Sequence, residues 1–147
     1  MDFKVRKFKY QDKSEVLQMM EAFYTSEAVS TNVSKEIFEN DFENCVNENP
    51  FLDGYVLYSD TDILGYAMFA KSFSTEFGKM CIWIEDLYLK KEYRGQNIIP
   101  RFFEYTKSVY PNVLFKLEVE NENTHALHVY KKLGFKNLPY SEMIYFS

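Results

Sequence analysis

Apolar positions recur along the chain with two different periods, and each change of period marks an element boundary. From Phe3 to Lys9, Phe3, Val5 and Lys7 alternate with Lys4, Arg6 and Phe8, which predicts a short strand. Over Gln11 to Tyr24 the spacing turns helical, with Val16, Leu17, Met20, Phe23 and Tyr24 in phase. A second helix is predicted over Ser34 to Val46, with Ser34 able to cap its start and Pro50 lying beyond its end. Gly54 to Tyr58 and Ile63 to Phe73 alternate as strands joined through SDTD, whose Asp and Ser residues favour a turn. Lys79 to Leu89 is a third strand of this run, entered through Gly78. Pro100 to Tyr110 reads as a helix with Pro tolerated in its first turn. Val113 to Val119 reads as a strand, Asn123 to Leu133 as a helix ended by Gly134, and Ser141 to Phe146 as a closing strand. Phe135 is expected to fold back on Val129 and Tyr130.

The order is therefore strand, two helices, three strands, helix, strand, helix, strand. Helices fed by strands in the second half imply parallel pairing, and the tight turn near Asp60 implies antiparallel pairing in the first. The fold class that follows is α/β (α+β), a mixed sheet with helices on both faces.

Composition narrows the possibilities. A chain of 147 residues with 46% apolar and 18% aromatic residues can form one domain, residues 1–147, with a substantial core. The net charge of −5, with no Lys/Arg block, argues against a nucleic-acid surface and favours cationic small molecules. Cys45 and Cys81 lack metal-ligand spacing and read as reduced thiols. His125 and His128 are spaced for a metal, but no further ligand completes a site, so no metal is expected. The N-terminal residues lack a signal-peptide core and no run approaches a membrane span, so the expectation is a soluble, cytoplasmic protein.

Three stretches carry candidate chemistry. WIEDLYL sets two acids, Glu85 and Asp86, side by side in an apolar strand. In a regular strand Glu85 would share a face with Trp83, Leu87 and Leu89, and Asp86 one with Ile84 and Tyr88, so the two could not line one pocket. EYRGQNIIPR joins that strand to the next helix, and a helix N-terminus offers free N–H groups to a pyrophosphate. Gly95 is its lone glycine; Arg94 and Arg101 add positive charge, and Asn97 tolerates a left-handed backbone. In NENTHALHVYKKLGF, Asn123 can cap a helix or donate an amide to a ligand, and Tyr130 can be core or can point into a cleft.

Taken in order, these stretches resemble the GNAT superfamily of acetyl-CoA-dependent N-acetyltransferases. NTHALHVYKKLGF, Asn123 to Phe135, fits the family signature N-x-x-A-x-x-x-Y-x-x-x-G-F at every specified position. Arg94-Gly95-Gln96-Asn97-Ile98-Ile99 occupies the place of the family's Q/R-x-x-G-x-G/A pyrophosphate loop, with Asn97 and Ile99 where glycines are usual. Ile84-Glu85-Asp86 is similar to the Leu-Glu-Asp step of the diamine branch, the spermidine/spermine and thialysine enzymes.

The resemblance implies a mostly antiparallel sheet whose splayed parallel strand pair binds acetyl-CoA. It implies Glu85 as base for a primary amine, Asp86 holding the amine or sharing that task, and Tyr130 as acid for the leaving thiolate. It puts the pantetheine on Leu87, Tyr88 and Leu89, the pyrophosphate on residues 94–99, and Asn123 among the cofactor contacts. The acceptor is expected near Tyr24 and Glu27, with Glu85 and Asp86, and a homodimer is in keeping with similar proteins. Rival readings are a peptide-amine or aminoglycoside acetyltransferase, and a GNAT-fold protein that binds CoA without turnover.

Overall fold

One twisted sheet with an apolar stripe on each face organises the chain. The computed structural model describes residues 1–26 and 33–147; Glu27 lies outside them. The strands are β1 (Lys4–Lys7), β2 (Leu52–Ser59), β3 (Asp62–Ser74), β4 (Lys79–Leu89) and β5 (Leu114–Leu117). They lie in the order β1-β2-β3-β4-β5, every pair antiparallel except β4 with β5, which is parallel. The helices are α1 (Lys13–Tyr24), α2 (Lys35–Val46), α3 (Ile98–Val109) and α4 (Thr124–Lys132), with a 3-10 turn over Tyr10–Asp12 leading into α1 and another over Lys91–Tyr93.

The period-2 alternation of the strands sorts their side chains between two cores. On one face Phe8, Val56, Tyr66 and Met68 meet Val16 and Met20 of α1 and Phe38 and Phe42 of α2. On the other, Leu57, Leu64, Phe69, Ile82 and Ile84 meet Ile98 and Phe102 of α3. α4 buries no residue fully and joins this second layer through its C-terminal end. There Gly134, at φ 103, takes the left-handed conformation a side chain would resist. The Phe135 N–H reaches the Tyr130 carbonyl at 3.0 Å and the Gly134 N–H the Lys131 carbonyl at 3.1 Å, the paired bonds of a Schellman end. The Phe135 ring accordingly packs back on Tyr130, centroids 5.9 Å apart.

Two expectations change. Ser34 stands at the start of α2 but makes no side-chain cap; its carbonyl accepts from Ile37 and Phe38 instead. The closing strand over 141–146 does not form: no ladder partner exists for it among the described residues, and Met143, Ile144, Tyr145 and Phe146 are exposed. Alternation marks a segment able to pair, but the ladder requires a neighbour. Cys45 and Cys81 are free thiols, one half-buried and one buried.

Candidate active site

The site begins with an irregularity in β4. Met68 of β3 faces Asp86 and the next residue, Phe69, faces Ile84, so Glu85 is an extra residue without a partner, a β-bulge. The bulge reverses the alternation. Ile82 and Ile84 before it and Leu87 and Leu89 after it all join the α3 side. Glu85 and Asp86 are thereby turned to the same side, towards α1 and α2, which corrects the opposite faces expected of a regular strand. The signal was present in WIEDLYL as two adjacent acids interrupting an apolar alternation, but the extra residue becomes visible only against β3.

The two acids have different surroundings. Asp86 is 1% exposed and accepts hydrogen bonds from the hydroxyls of Tyr24, at 2.6 Å, and Tyr66, at 2.7 Å. Burial raises its pKa to about 6, against the pull of those two donors. Tyr24 thus commits its hydroxyl to Asp86, and its own pKa rises, through burial first and then the Asp86 charge. Glu85 is exposed as a residue and lines an open cleft of about 1510 Å³, with Phe23 and Tyr24 of α1 on the same wall. Its carboxyl is nonetheless raised above the usual carboxylate range by burial within the cleft, then by Glu142 and Asp41.

The β4–β5 ladder ends beside the bulge. β4 and β5 pair from Cys81↔Leu114 to Ile84↔Leu117 and no further, although β4 runs on to Leu89. The backbone of Leu87 to Leu89 therefore has no strand on the side that β5 leaves. Such an edge can accept an extended chain by strand addition.

Beyond β4 the chain turns into α3 through Gly95, at φ 77, and Asn97, at φ 60, both left-handed. A Cβ on Gly95 would meet nothing within 4 Å, so its requirement for glycine is one of backbone conformation alone. Asn97 immediately precedes α3 and makes no side-chain cap, and Pro100 is the third helical residue. Ile98 is buried in the core, and Ile99 lines a small apolar cavity with Phe102, Phe103 and Tyr130. Gln96 is exposed at the loop surface. Arg94 donates through Nε to the Leu89 carbonyl at 2.8 Å and stacks 5.5 Å over Tyr88. Arg101 is drawn to the Met1 carbonyl and lies 4.9 Å over the Phe3 ring.

α4 supplies the remaining groups. The Asn123 side-chain oxygen accepts from the Ala126 N–H at 3.2 Å, so Asn123 caps the helix and leaves its amide nitrogen without a partner among the described residues. Such a cap contributes about 1 kcal/mol. The Tyr130 ring is held by Phe135, which packs on Phe103 at 5.3 Å, which packs on Phe115 at 5.4 Å. Tyr130 borders both the apolar cavity and the cleft, and its hydroxyl has no hydrogen-bond partner among the described residues. Burial raises its pKa, so it stays protonated at neutral pH and can donate.

Two acids absent from the sequence reading complete the cleft wall. Glu118, just past β5, has its carboxyl pushed up to about 7, chiefly by its hydrogen bond with Glu142. Glu118 follows Leu117 and Glu85 follows Ile84, the last pair between the two strands, so both acids stand where the strands part. Glu142 lies in the segment read as a strand. Tyr24 and Glu85 both line this cleft. Asp86 lies beneath it, and the other expected acceptor residue, Glu27, is not described. No group of three or more metal-ligating residues occurs among the described residues, and no described helix is long and apolar enough to cross a membrane.

The profile of the Acetyltransferase (GNAT) family matches residues 15–135. The chain belongs to that family. As a member it is an N-acetyltransferase. Thialysine N-epsilon-acetyltransferase of Sus scrofa is 29% identical over 151 residues, which cover 94% of this chain and 86% of the relative. The Mus musculus protein of the same name is 26% identical over 152 residues, with 95% and 87% covered. Among solved structures, a possible acetyltransferase from Clostridium difficile 630 superposes with a TM-score of 0.82 at 19% identity, covering 99% of this chain and 97% of its own. A predicted acetyltransferase from Clostridium acetobutylicum, crystallised with acetyl-CoA, gives 0.78 at 18% identity, covering 98% and 96%. At these identities the structural likeness concerns the fold.

Proposed function

We propose that this chain, working as a single domain, moves the acetyl group of acetyl-CoA to a primary amine of a small cationic substrate of the diamine or polyamine kind. The observation that carries the reading is the bulge at Glu85. That irregularity lies where β4 and β5 part and turns a carboxylate of raised pKa into the cleft there.

The chain's own groups fit acetyl-CoA. The unpaired backbone of Leu87 to Leu89 suits an amide-bearing pantetheine arm. The turn through Gly95, Gln96 and Asn97 into Ile98 and Ile99 suits a pyrophosphate, which the N-terminus of α3 favours electrostatically. The Asn123 amide nitrogen is available to the same ligand. Bound acetyl-CoA supplies an activated thioester. Gln96 and the N–H groups of residues 96–99 then have to provide what a glycine-complete loop would, since Arg94 and Arg101 are engaged with backbone carbonyls.

An alkylammonium has a pKa near ~10.4 and must lose a proton before it can attack. Glu85 takes that proton, directly or through a water. Its raised pKa brings it nearer the operating pH, where a general base is most effective. Asp86 holds Tyr24 and Tyr66 in place beneath the amine. The Tyr130 hydroxyl gives a proton to the departing sulfur. Glu118 and Glu142 add negative charge to the wall and favour an acceptor with a second ammonium. That preference, the relatives' thialysine activity and the chain's negative balance support the diamine class over peptide or aminoglycoside acceptors. Small charged substrates of this kind suit a cytoplasmic enzyme.

Thiol release from acetyl-CoA across a panel of diamines, polyamines, thialysine, a lysine peptide and an aminoglycoside tests the reading. Turnover confined to the short cationic amines is expected. Turnover only with the peptide or aminoglycoside, or binding of acetyl-CoA without release on any acceptor, overturns it.

A further inference from the structure

Tyr130 borders a second space besides the cleft, and transfer of a two-carbon group leaves that space unused. It is a void of about 10 Å³ between β4, α3 and α4, and its wall is apolar throughout. Ile84 and Leu87, on either side of the two bulge acids, contribute to it. Thr106 of α3 and Leu133 just past α4 also line it. The Thr106 hydroxyl donates to the Phe102 carbonyl at 2.9 Å and so brings no free polar group to the wall. A space of this size has room for one small group, and an apolar wall offers water no partner.

The void lies on the face of β4 opposite the acids. Ile84 and Leu87 belong to the α3 core, whereas Glu85 and Asp86 turn towards α1 and α2. Tyr130 lines both spaces. In the transfer step the amine comes from the Glu85 side, and the thioester sulfur stands within reach of Tyr130. The acyl chain is then left to the α3 side, against Ile84, Leu87 and Tyr130.

We infer that the void receives the terminal carbon of a three-carbon acyl group, so that propionyl-CoA is a second acyl donor and longer acyl-CoAs are excluded. The inference rests on the acetyl-transfer reading and extends it from the acceptor to the donor. The chemistry is unchanged. The amine nitrogen bonds to the acyl carbon and the carbon–sulfur bond breaks. Glu85 takes the ammonium proton and Tyr130 protonates the thiolate, so the products are the N-propionyl amine and CoA. An acetyl group leaves the void empty. Burying one further carbon favours propionyl-CoA by up to about fourfold. A butyryl group adds a carbon for which there is no room, and overpacking of that kind costs roughly tenfold or more.

Thiol release from acetyl-, propionyl- and butyryl-CoA with the same panel of amines tests it, on the wild type and on Thr106→Ile and Leu133→Ala. A thermal melt monitors folding. The wild type should use acetyl-CoA and propionyl-CoA with kcat/KM within about fourfold of each other, and butyryl-CoA roughly tenfold less well or worse. Thr106→Ile fills the void and should lower propionyl use about tenfold while sparing acetyl use. Leu133→Ala enlarges it at a half-buried position and should raise butyryl use about tenfold. Where only one variant folds, its shift decides. Release from acetyl-CoA with propionyl-CoA roughly tenfold poorer or worse overturns this inference alone. Butyryl-CoA used as well as propionyl-CoA also overturns it, as does a donor preference that no folded variant shifts, since the acyl chain then lies elsewhere. Release from no donor overturns the acetyl-transfer reading and this inference with it.

Discussion

Ile84 of β4 faces Leu117 of β5, and theirs is the last register pair between the two strands. The next residue of β4 is the bulged Glu85, and the next of β5 is Glu118. The sheet therefore opens where its carboxylates gather, and Tyr130 lines the same cleft.

Tyr130→Phe removes a hydroxyl with no partner among the described residues, so stability should change by no more than about 0.5 kcal/mol. Turnover should fall ~10²–10⁴-fold, the usual worth of a proton donor, with the KM for acetyl-CoA nearly unchanged. Steady-state kinetics beside a thermal melt checks both, and an unaltered kcat would remove Tyr130 from the acid role.

Glu85→Gln should change the shape of the pH profile as well as the rate. The Glu85 carboxyl is raised, so the wild-type kcat/KM should fall on the acid side from a pH above the ordinary carboxylate range. The glutamine variant cannot ionise and should lose that limb, leaving a slow rate that follows the free amine. A variant retaining the wild-type acid limb would assign the base elsewhere.

Asp86 makes a stability prediction. Its folded pKa, about 6, lies above its ordinary value of 3.8, so between those values the folded state holds more protons than the unfolded one. Ionising it then costs stability: the loss sets in as pH rises above about 4 and is complete above about 6. Asp86→Asn should abolish this part of the slope, and Tm measured against pH for both proteins reads the difference. Parallel curves over that window would contradict it. Asp86→Ala should be worse at every pH, because it strands the hydroxyls of Tyr24 and Tyr66, each costing about 1–3 kcal/mol.

Much of this was legible in the residues, and the exceptions share a cause. Lys79–Leu89 is bounded as its alternation predicts, and the Asn123 cap and the Gly134 end of α4 follow from local chemistry that the sequence carries in full. The common side of Glu85 and Asp86 was not legible, because a bulge is a relation between two strands and Met68 lies far away in sequence. Glu118 and Glu142 stayed hidden for the same reason. The Tyr24 hydroxyl bonds Asp86, a contact across 62 positions that no local pattern announces. The segment over 141–146 has the alternation of a strand and lacks a neighbour to make it one.

Gly95→Ala probes the turn before α3. The new methyl would meet no atom within 4 Å, but φ 77 would cost it about 1–2 kcal/mol. The backbone should relax and its N–H groups lose their aim, raising the KM for acetyl-CoA while kcat at saturation holds. Asn97→Gly relieves a left-handed residue at φ 60 and should lower that KM. Equal KM values for all three proteins would dissociate the turn from cofactor binding.

The claim on which all of this depends is that acetyl-CoA occupies the parting of β4 and β5. Hydrogen–deuterium exchange of the full chain with and without acetyl-CoA measures it directly. Protection of the backbone amides over Leu87 to Leu89 and over Gln96 to Ile99 is the predicted result. Unchanged exchange in both stretches at saturating acetyl-CoA, or protection confined to other parts of the chain, would contradict it.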